Sequence, residues 1–164
     1  MNIHPSMRGY FAYYLHKEMQ KNNDVYVILI DLGYGMFDAI RDEFPDRVII
    51  TGASEQASID LACGLAMSGK IPIVYSITPF LIYRAFESIR NYIDREELNV
   101  KLVGSGRDKD YAHDGFSHDA SDVPGFMDQF VNIAEYYPNS MERMESLVKE
   151  MIEVERPMFI SLRR

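Results

Sequence analysis

The sequence predicts a doubly wound α/β domain with a mainly parallel sheet, running through residues 1–164. Short apolar runs of strand length alternate with segments whose apolar residues recur at helical spacing. The runs are continuously apolar rather than alternating, which suits strands covered on both faces. No linker, internal repeat or low-complexity tract interrupts the pattern. A chain of 164 residues is long enough to bury a core.

Taken in order, Ser6 can cap a first helix over residues 6–21, with Phe11, Tyr14, Leu15 and Met19 along one side. Asn22, Asn23 and Asp24 break it, and residues 25–30 form an apolar strand ending at Asp31. Gly33 and Gly35 turn the chain into a short helix over 36–44, which Pro45 stops. Residues 47–50 read as the second strand and 54–68 as an Ala/Gly-rich helix closed by Gly69. A third strand over 71–77 leads through Thr78-Pro79 into a long helical stretch ending at Arg95, and a fourth covers 99–103. Residues 104–122 are polar and Gly-rich with little periodicity; irregular stretches of that length inside a domain usually serve function. A helix over 122–129, a strand over 131–136, an amphipathic helix over 140–154 and a strand over 158–162 complete the chain.

The composition excludes several classes. Apolar residues make up 47% and charged residues 26%, ordinary for a globular protein. A formal net charge of -8 argues against non-specific binding to nucleic acid or to an anionic membrane. No apolar run reaches the length of a membrane span, and residues 1–8 lack the apolar core of a signal peptide. The lone Cys63 has no partner for an internal disulfide, so a reducing compartment fits and a cytoplasmic location is expected.

Thr51-Gly52-Ala53-Ser54-Glu55-Gln56-Ala57 joins the second strand to its helix. Glu55 therefore falls in a first helical turn, just past the C-terminal end of a strand. In open α/β sheets ligands bind at that edge. A glutamate there also complements the helix dipole, and position alone does not separate the two readings.

Further motifs gather at the other strand ends. Asp31-Leu32 follows the first strand, and Phe44-Pro45-Asp46-Arg47-Val48 precedes Gly52-Ala53-Ser54-Glu55-Gln56. Gly64-Leu65-Ala66 and Gly69-Lys70-Ile71-Pro72 come next, then Thr78-Pro79-Phe80-Leu81 with Tyr83-Arg84-Ala85, and finally Asp114-Gly115-Phe116-Ser117-His118. Together and in this order they resemble the pyrimidine-binding domain of the transketolase-like, thiamine-diphosphate-dependent enzymes. The resemblance covers essentially the whole chain and implies the thiamine-diphosphate-binding fold in its pyrimidine-binding form.

The resemblance implies thiamine diphosphate as cofactor, with the Glu55 carboxyl bonded to the pyrimidine N1′. That bond makes the neighbouring N4′ basic enough to take the thiazolium proton, and burial favours a glutamate that shares a proton near neutral pH. Asp31 is placed among the cofactor contacts. Phe80 and Tyr83, three apart at a helix start, would form the wall on which the aminopyrimidine stacks, with Ile77 where the family has a further aromatic. The same pair also fits plain core packing. Asp114 and His118 would reach the hydroxyls of the substrate, His118 also serving in proton transfer. His113, His118 and Asp119 do not complete a metal site. Arg8 and Arg164 match two arginines that grip a distal phosphate, while the family's serine and histidine fall on Gly35 and Gly106. Half a clamp can still bind phosphate; another substrate, or two solvated arginines, fits as well.

The Gly-Asp-Gly and Asn pattern that holds the cofactor's metal does not occur in these residues, nor does the family's third domain. The resemblance therefore implies one subunit of a split enzyme, moving a two-carbon ketol unit between sugars or sugar phosphates. Its partner would be a diphosphate-binding subunit holding Mg2+, in a heterotetramer with two copies of each chain. Two alternatives stay open: a 2-oxo acid decarboxylase or deoxyxylulose phosphate synthase-like enzyme, and a non-catalytic binding module.

Overall fold

Six apolar segments form strands: β1 (Val25–Leu29), β2 (Val48–Ile50), β3 (Ile71–Ile77), β4 (Lys101–Ser105), β5 (Ala134–Tyr136) and β6 (Met158–Leu162). In the computed structural model, which describes residues 3–164, they make one sheet in the order β2-β1-β3-β4-β6-β5. Every pairing is parallel, so the sheet expected to be mainly parallel is wholly so. Both outer strands, β2 and β5, are three residues long. Met1 and Asn2, the start of the stretch that lacks a signal-peptide core, lie outside the described residues. No helix of the described residues is long and apolar enough to cross a membrane.

The helices are α1 (Met7–Lys21), α2 (Asp38–Glu43), α3 (Glu55–Met67), α4 (Thr78–Tyr83), α5 (Phe86–Ser88), α6 (Val123–Met127) and α7 (Met144–Glu153). Successive strand residues point to opposite faces, which explains the continuous apolar runs. Val27, Leu29, Ile73, Tyr75 and Ile160 pack against Phe11, Leu15 and Met19 of α1, Ile40 of α2 and Val148 and Met151 of α7. Ile28, Val74, Leu102 and Phe159 pack on the other face against Ile59 and Ala62 of α3, Leu81 and Ile82 of α4, Ile89 and Val123. Ser6 caps α1, accepting the Gly9 amide at 3.1 Å, as the sequence implies.

Several boundaries move, each for a physical reason. β2 starts one residue late because Pro45–Arg47 is a 3-10 turn. The Arg47 guanidinium donates to the carbonyls of Asn22 and Met19, closing the C-terminal end of α1. The helix expected at 36–44 shortens to α2. The long helix expected over 78–95 is broken at Arg84 and Ala85, then widens into a π turn over Ile89–Asp94. β4 lies two residues later than expected, because its register pairs Lys101 with Met158 and Ser105 with Leu162. β5 loses its first three residues: Val131 is 84% exposed, and Asn132 bonds the Asp94 carboxylate and carbonyl instead of a strand. The segment 104–122 is less irregular than its composition suggests. It contains 3-10 turns over Ala112–Asp114 and Phe116–His118 and an antiparallel bridge between Asp108 and Ala120.

Lys101 is fully buried at the start of β4, where its Nζ donates to the carbonyls of Val154 and Arg156 beyond α7, at 2.7 and 2.6 Å. Burial, aided by the neighbouring Arg156 charge, pushes its pKa down from 10.5 to about 7. The folded-state value lies below the unfolded one, so between them the unfolded chain binds more protons and stability rises with pH. At about 1.36 kcal/mol per pKa unit the gain has an upper limit of roughly 5 kcal/mol. Urea unfolding from pH 7 to 10 should show that rise in the wild type and a flattened one in Lys101→Met; parallel profiles would refute it.

Candidate active site at the C-terminal edge of the sheet

Chain order and strand order part company between β1 and β3. After β1 the chain crosses to β2 on one side, whereas β3 continues the sheet on the other. Such a switch point opens a crevice at the carboxyl ends of the strands. Asp31 follows β1 with φ 46°, a left-handed geometry that turns the chain out of the sheet, and it is exposed.

Glu55 is the first residue of α3 and is buried, at 6% exposure. A run of hydroxyls fixes the turn that presents it. Ser54 Oγ donates to the Thr51 carbonyl at 2.8 Å, Ser58 Oγ to the Ser54 carbonyl at 2.8 Å, and the Thr51 and Ser58 hydroxyls share a 2.7 Å bond. The carboxylate is not isolated. Arg84 Nη1 donates to its Oε1 at 2.6 Å, and the guanidinium carbon lies 3.8 Å from the centre of the Phe80 ring. The sequence gives Arg84 only as part of a motif; its contact with Glu55 spans 29 residues and leaves no local signal.

Phe80 and Tyr83 share α4 but take different partners, which departs from the single aromatic wall expected of them. Phe80 meets the His118 ring edge-on at 4.8 Å. Tyr83 instead packs on Phe126 at 4.7 Å and donates its hydroxyl to the Asp122 carboxylate, which pins α4 to α6. Burial first, then the Asp122 carboxylate, pushes the Tyr83 pKa well above the ordinary phenol value. The helix α4 sits so close to β4 that a Cβ at Gly104 would collide with Thr78 Oγ1. Thr78 Oγ1 in turn donates to the Gly106 carbonyl at 2.6 Å, tying the start of α4 to the end of β4.

Asp114 and His118 close successive 3-10 turns, separated by Gly115 at φ 96°. Asp114 is exposed and approaches His113 at 3.3 Å; His118 is half-buried, with Nδ1 3.1 Å from Ser117 Oγ. Only His118 of the pair is brought against Phe80.

The two arginines converge on a residue that sequence reasoning missed. Arg8 Nη1 donates to the Tyr111 hydroxyl at 2.6 Å and to Ser105 Oγ at 3.4 Å. The Arg164 guanidinium carbon lies 5.1 Å from the Tyr111 ring centre, and its Nη1 is 3.0 Å from His113 Nε2. Tyr111 is buried, and a Cβ at Gly106 would run into its ring, so the bare glycine makes room for it. Neither arginine is simply solvated. In the same cluster the Tyr75 hydroxyl and Arg8 Nε are buried without a hydrogen-bond partner among the described residues. Burial pushes the Tyr75 pKa up to about 12, tempered by neighbouring Ser105 and Arg8. A cleft of about 830 Å³, lined by Arg8, Tyr34, Gly35, Met36 and Asp38 among others, opens beside this cluster. Among the described residues no group of three or more His, Cys, Asp or Glu side chains could hold a metal ion.

A family model described as "Transketolase, pyrimidine binding domain" matches residues 4–164. The chain is 33% identical over 120 residues to one subunit of the apulose-4-phosphate transketolase of Actinobacillus succinogenes, covering 73% of this chain and 39% of that protein. It is 28% identical over 163 residues to a putative transketolase C-terminal section of Methanocaldococcus jannaschii, covering 99% of this chain and 52% of the other. A solved split-gene transketolase, described as an inactive β4 tetramer, superposes with a TM-score of 0.85 at 29% identity, covering 97% of this chain and 51% of that one. The chain thus spans about half the length, or less, of these relatives. With its matching motifs, its parallel sheet and a family match over nearly all its residues, the chain belongs to the transketolase pyrimidine-binding domain family.

Proposed function

We propose that this chain is the pyrimidine-binding subunit of a split, transketolase-like enzyme that transfers a two-carbon ketol unit between sugars or sugar phosphates with thiamine diphosphate. One observation carries the reading: a buried carboxylate and an aromatic face at the C-terminal edge of the sheet already hold a flat, N–H-bearing cation, Arg84, by one hydrogen bond and one stack. An aminopyrimidine asks for the same two contacts, so the residues present fit the group. When bound, thiamine diphosphate supplies the electron sink for making and breaking the carbon–carbon bond.

In this reading Glu55 shares a proton with the pyrimidine N1′, Phe80 stacks on the ring, Tyr83 braces the helix that carries Phe80, and Asp31 lines the cofactor's edge. His118, beside Phe80, moves a proton to or from the substrate, and Asp114 orients its hydroxyls. Arg8 and Arg164, gathered on Tyr111, hold the distal end. Mg2+ and the diphosphate belong to a diphosphate-binding partner subunit, in an assembly with two copies of each chain. The names of the relatives, one a transketolase subunit and one a split-gene chain, support that division. A cytoplasmic location is part of the proposal; it is supported by a single buried thiol, Cys63, whose pKa burial pushes up to about 11.

His118→Ala tests the assignment in the complex with the partner. Hydrogen–deuterium exchange at the thiazolium C2 should survive, while ketol transfer falls by about 10²-fold or more, as for loss of a general acid–base group. Loss of exchange along with turnover would remove His118 from the substrate side and sink this role.

A further inference from the structure

Glu55 poses a problem for a chain that folds before it meets its cofactor. A carboxylate buried to this degree is strongly unfavourable unless a counter-charge and a donor satisfy it. Arg84 supplies both, yet it does so in an unusual posture for an ion pair. Its guanidinium lies over Phe80, 3.8 Å from the ring centre, while Nη1 reaches Glu55 Oε1 at 2.6 Å. The Arg84 side chain is nonetheless 48% exposed and sits just past the end of α4, in the break before α5. It can therefore swing into solvent without opening either core.

We propose that Arg84 is a place-holder for the cofactor's aminopyrimidine, occupying its stacking face and its carboxylate until the cofactor displaces it. The inference rests on the roles given to Glu55 and Phe80 above. A planar, delocalised cation with in-plane N–H donors matches a pyrimidine ring in shape and in hydrogen bonding, which a lysine does not. Both groups compete for one oxygen and one ring face, so binding of either excludes the other. Apparent cofactor affinity is then reduced by the fraction of molecules in which Arg84 is seated. The arrangement keeps the lone subunit folded with its buried charge neutralised and makes cofactor uptake depend on that charge being handed over. Arg84 is in this sense a regulator of loading rather than a catalytic residue.

The test measures thiamine diphosphate binding by calorimetry in the complex with the partner subunit, at saturating Mg2+, for wild type, Arg84→Lys and Arg84→Met. Displacement predicts tighter binding in the order Met, Lys, wild type, with at least about ten-fold between the extremes. Arg84→Lys keeps the charge and guards against a folding defect in the methionine variant. In the wild-type complex, the Arg84 guanidinium resonances should show the slow exchange of a bonded group. They should lose it when 4-amino-5-hydroxymethyl-2-methylpyrimidine is added. Weaker or unchanged binding in both variants, or pyrimidine bound while Arg84 stays on Glu55, overturns the place-holder and leaves the proposed function standing. No cofactor binding in any variant of the assembled complex overturns both.

Discussion

Glu55→Gln should leave the fold and most cofactor binding intact and reduce ketol transfer by about 10²–10⁴-fold, the range for loss of a proton-sharing group. The amide keeps the length and planarity of the carboxyl, so the hydroxyl run from Thr51 to Ser58 still presents the side chain at the start of α3. Arg84, half exposed, loses its ion pair but not its access to water, so the unpaired guanidinium costs little. What the amide cannot do is share a proton with the pyrimidine N1′. The measurement is turnover of the assembled enzyme at saturating thiamine diphosphate, beside a urea unfolding curve of the same variant. Near wild-type turnover would remove Glu55, and the cofactor with it, from the proposal. A collapse of stability with normal specific activity would make Glu55 a structural residue only.

The purified chain without a partner should bind magnesium and thiamine diphosphate weakly or not at all and show no ketol transfer. Its candidate site offers a carboxylate and a ring for the pyrimidine, and the diphosphate and metal are assigned to the other subunit. Adding a diphosphate-binding subunit should restore binding and activity together, with two copies of each chain in the active particle. At a cofactor concentration 100 times Kd the complex should gain about 2.7 kcal/mol of stability by mass action, read as a higher melting temperature. Tight, stoichiometric cofactor binding and ketol transfer by the lone chain would refute the split-enzyme reading.

The alternation of strands and helices is legible in the sequence because the inner strands are largely apolar and buried on both faces and each connection carries its own punctuation. Glu55 is legible as well, since a strand end followed by helical spacing fixes a position in the first turn. What escapes depends on contacts between distant segments. Nothing in the residues around Val131 shows that Asn132 is held by Asp94, so β5 reads longer in the sequence than it is. Helical periodicity does not register a break at Arg84 and Ala85 or the π turn that follows. Tyr111 sits in a polar stretch and gains its meaning only from Arg8, 103 positions earlier, and from the bare Cα of Gly106. The pairing of Arg84 with Glu55 is likewise a property of the folded crevice.

The two three-residue strands at the rims of the sheet bear on how this chain resists uncontrolled association. A long unpaired rim offers a row of free amides and carbonyls to any passing extended chain, and so templates fibrous association. Here the ladder stops after three residues on either side, too short to recruit a neighbour with a stable set of bonds. The rims of this sheet are therefore poor templates for strand-by-strand growth, whatever surface the chain uses to meet other chains.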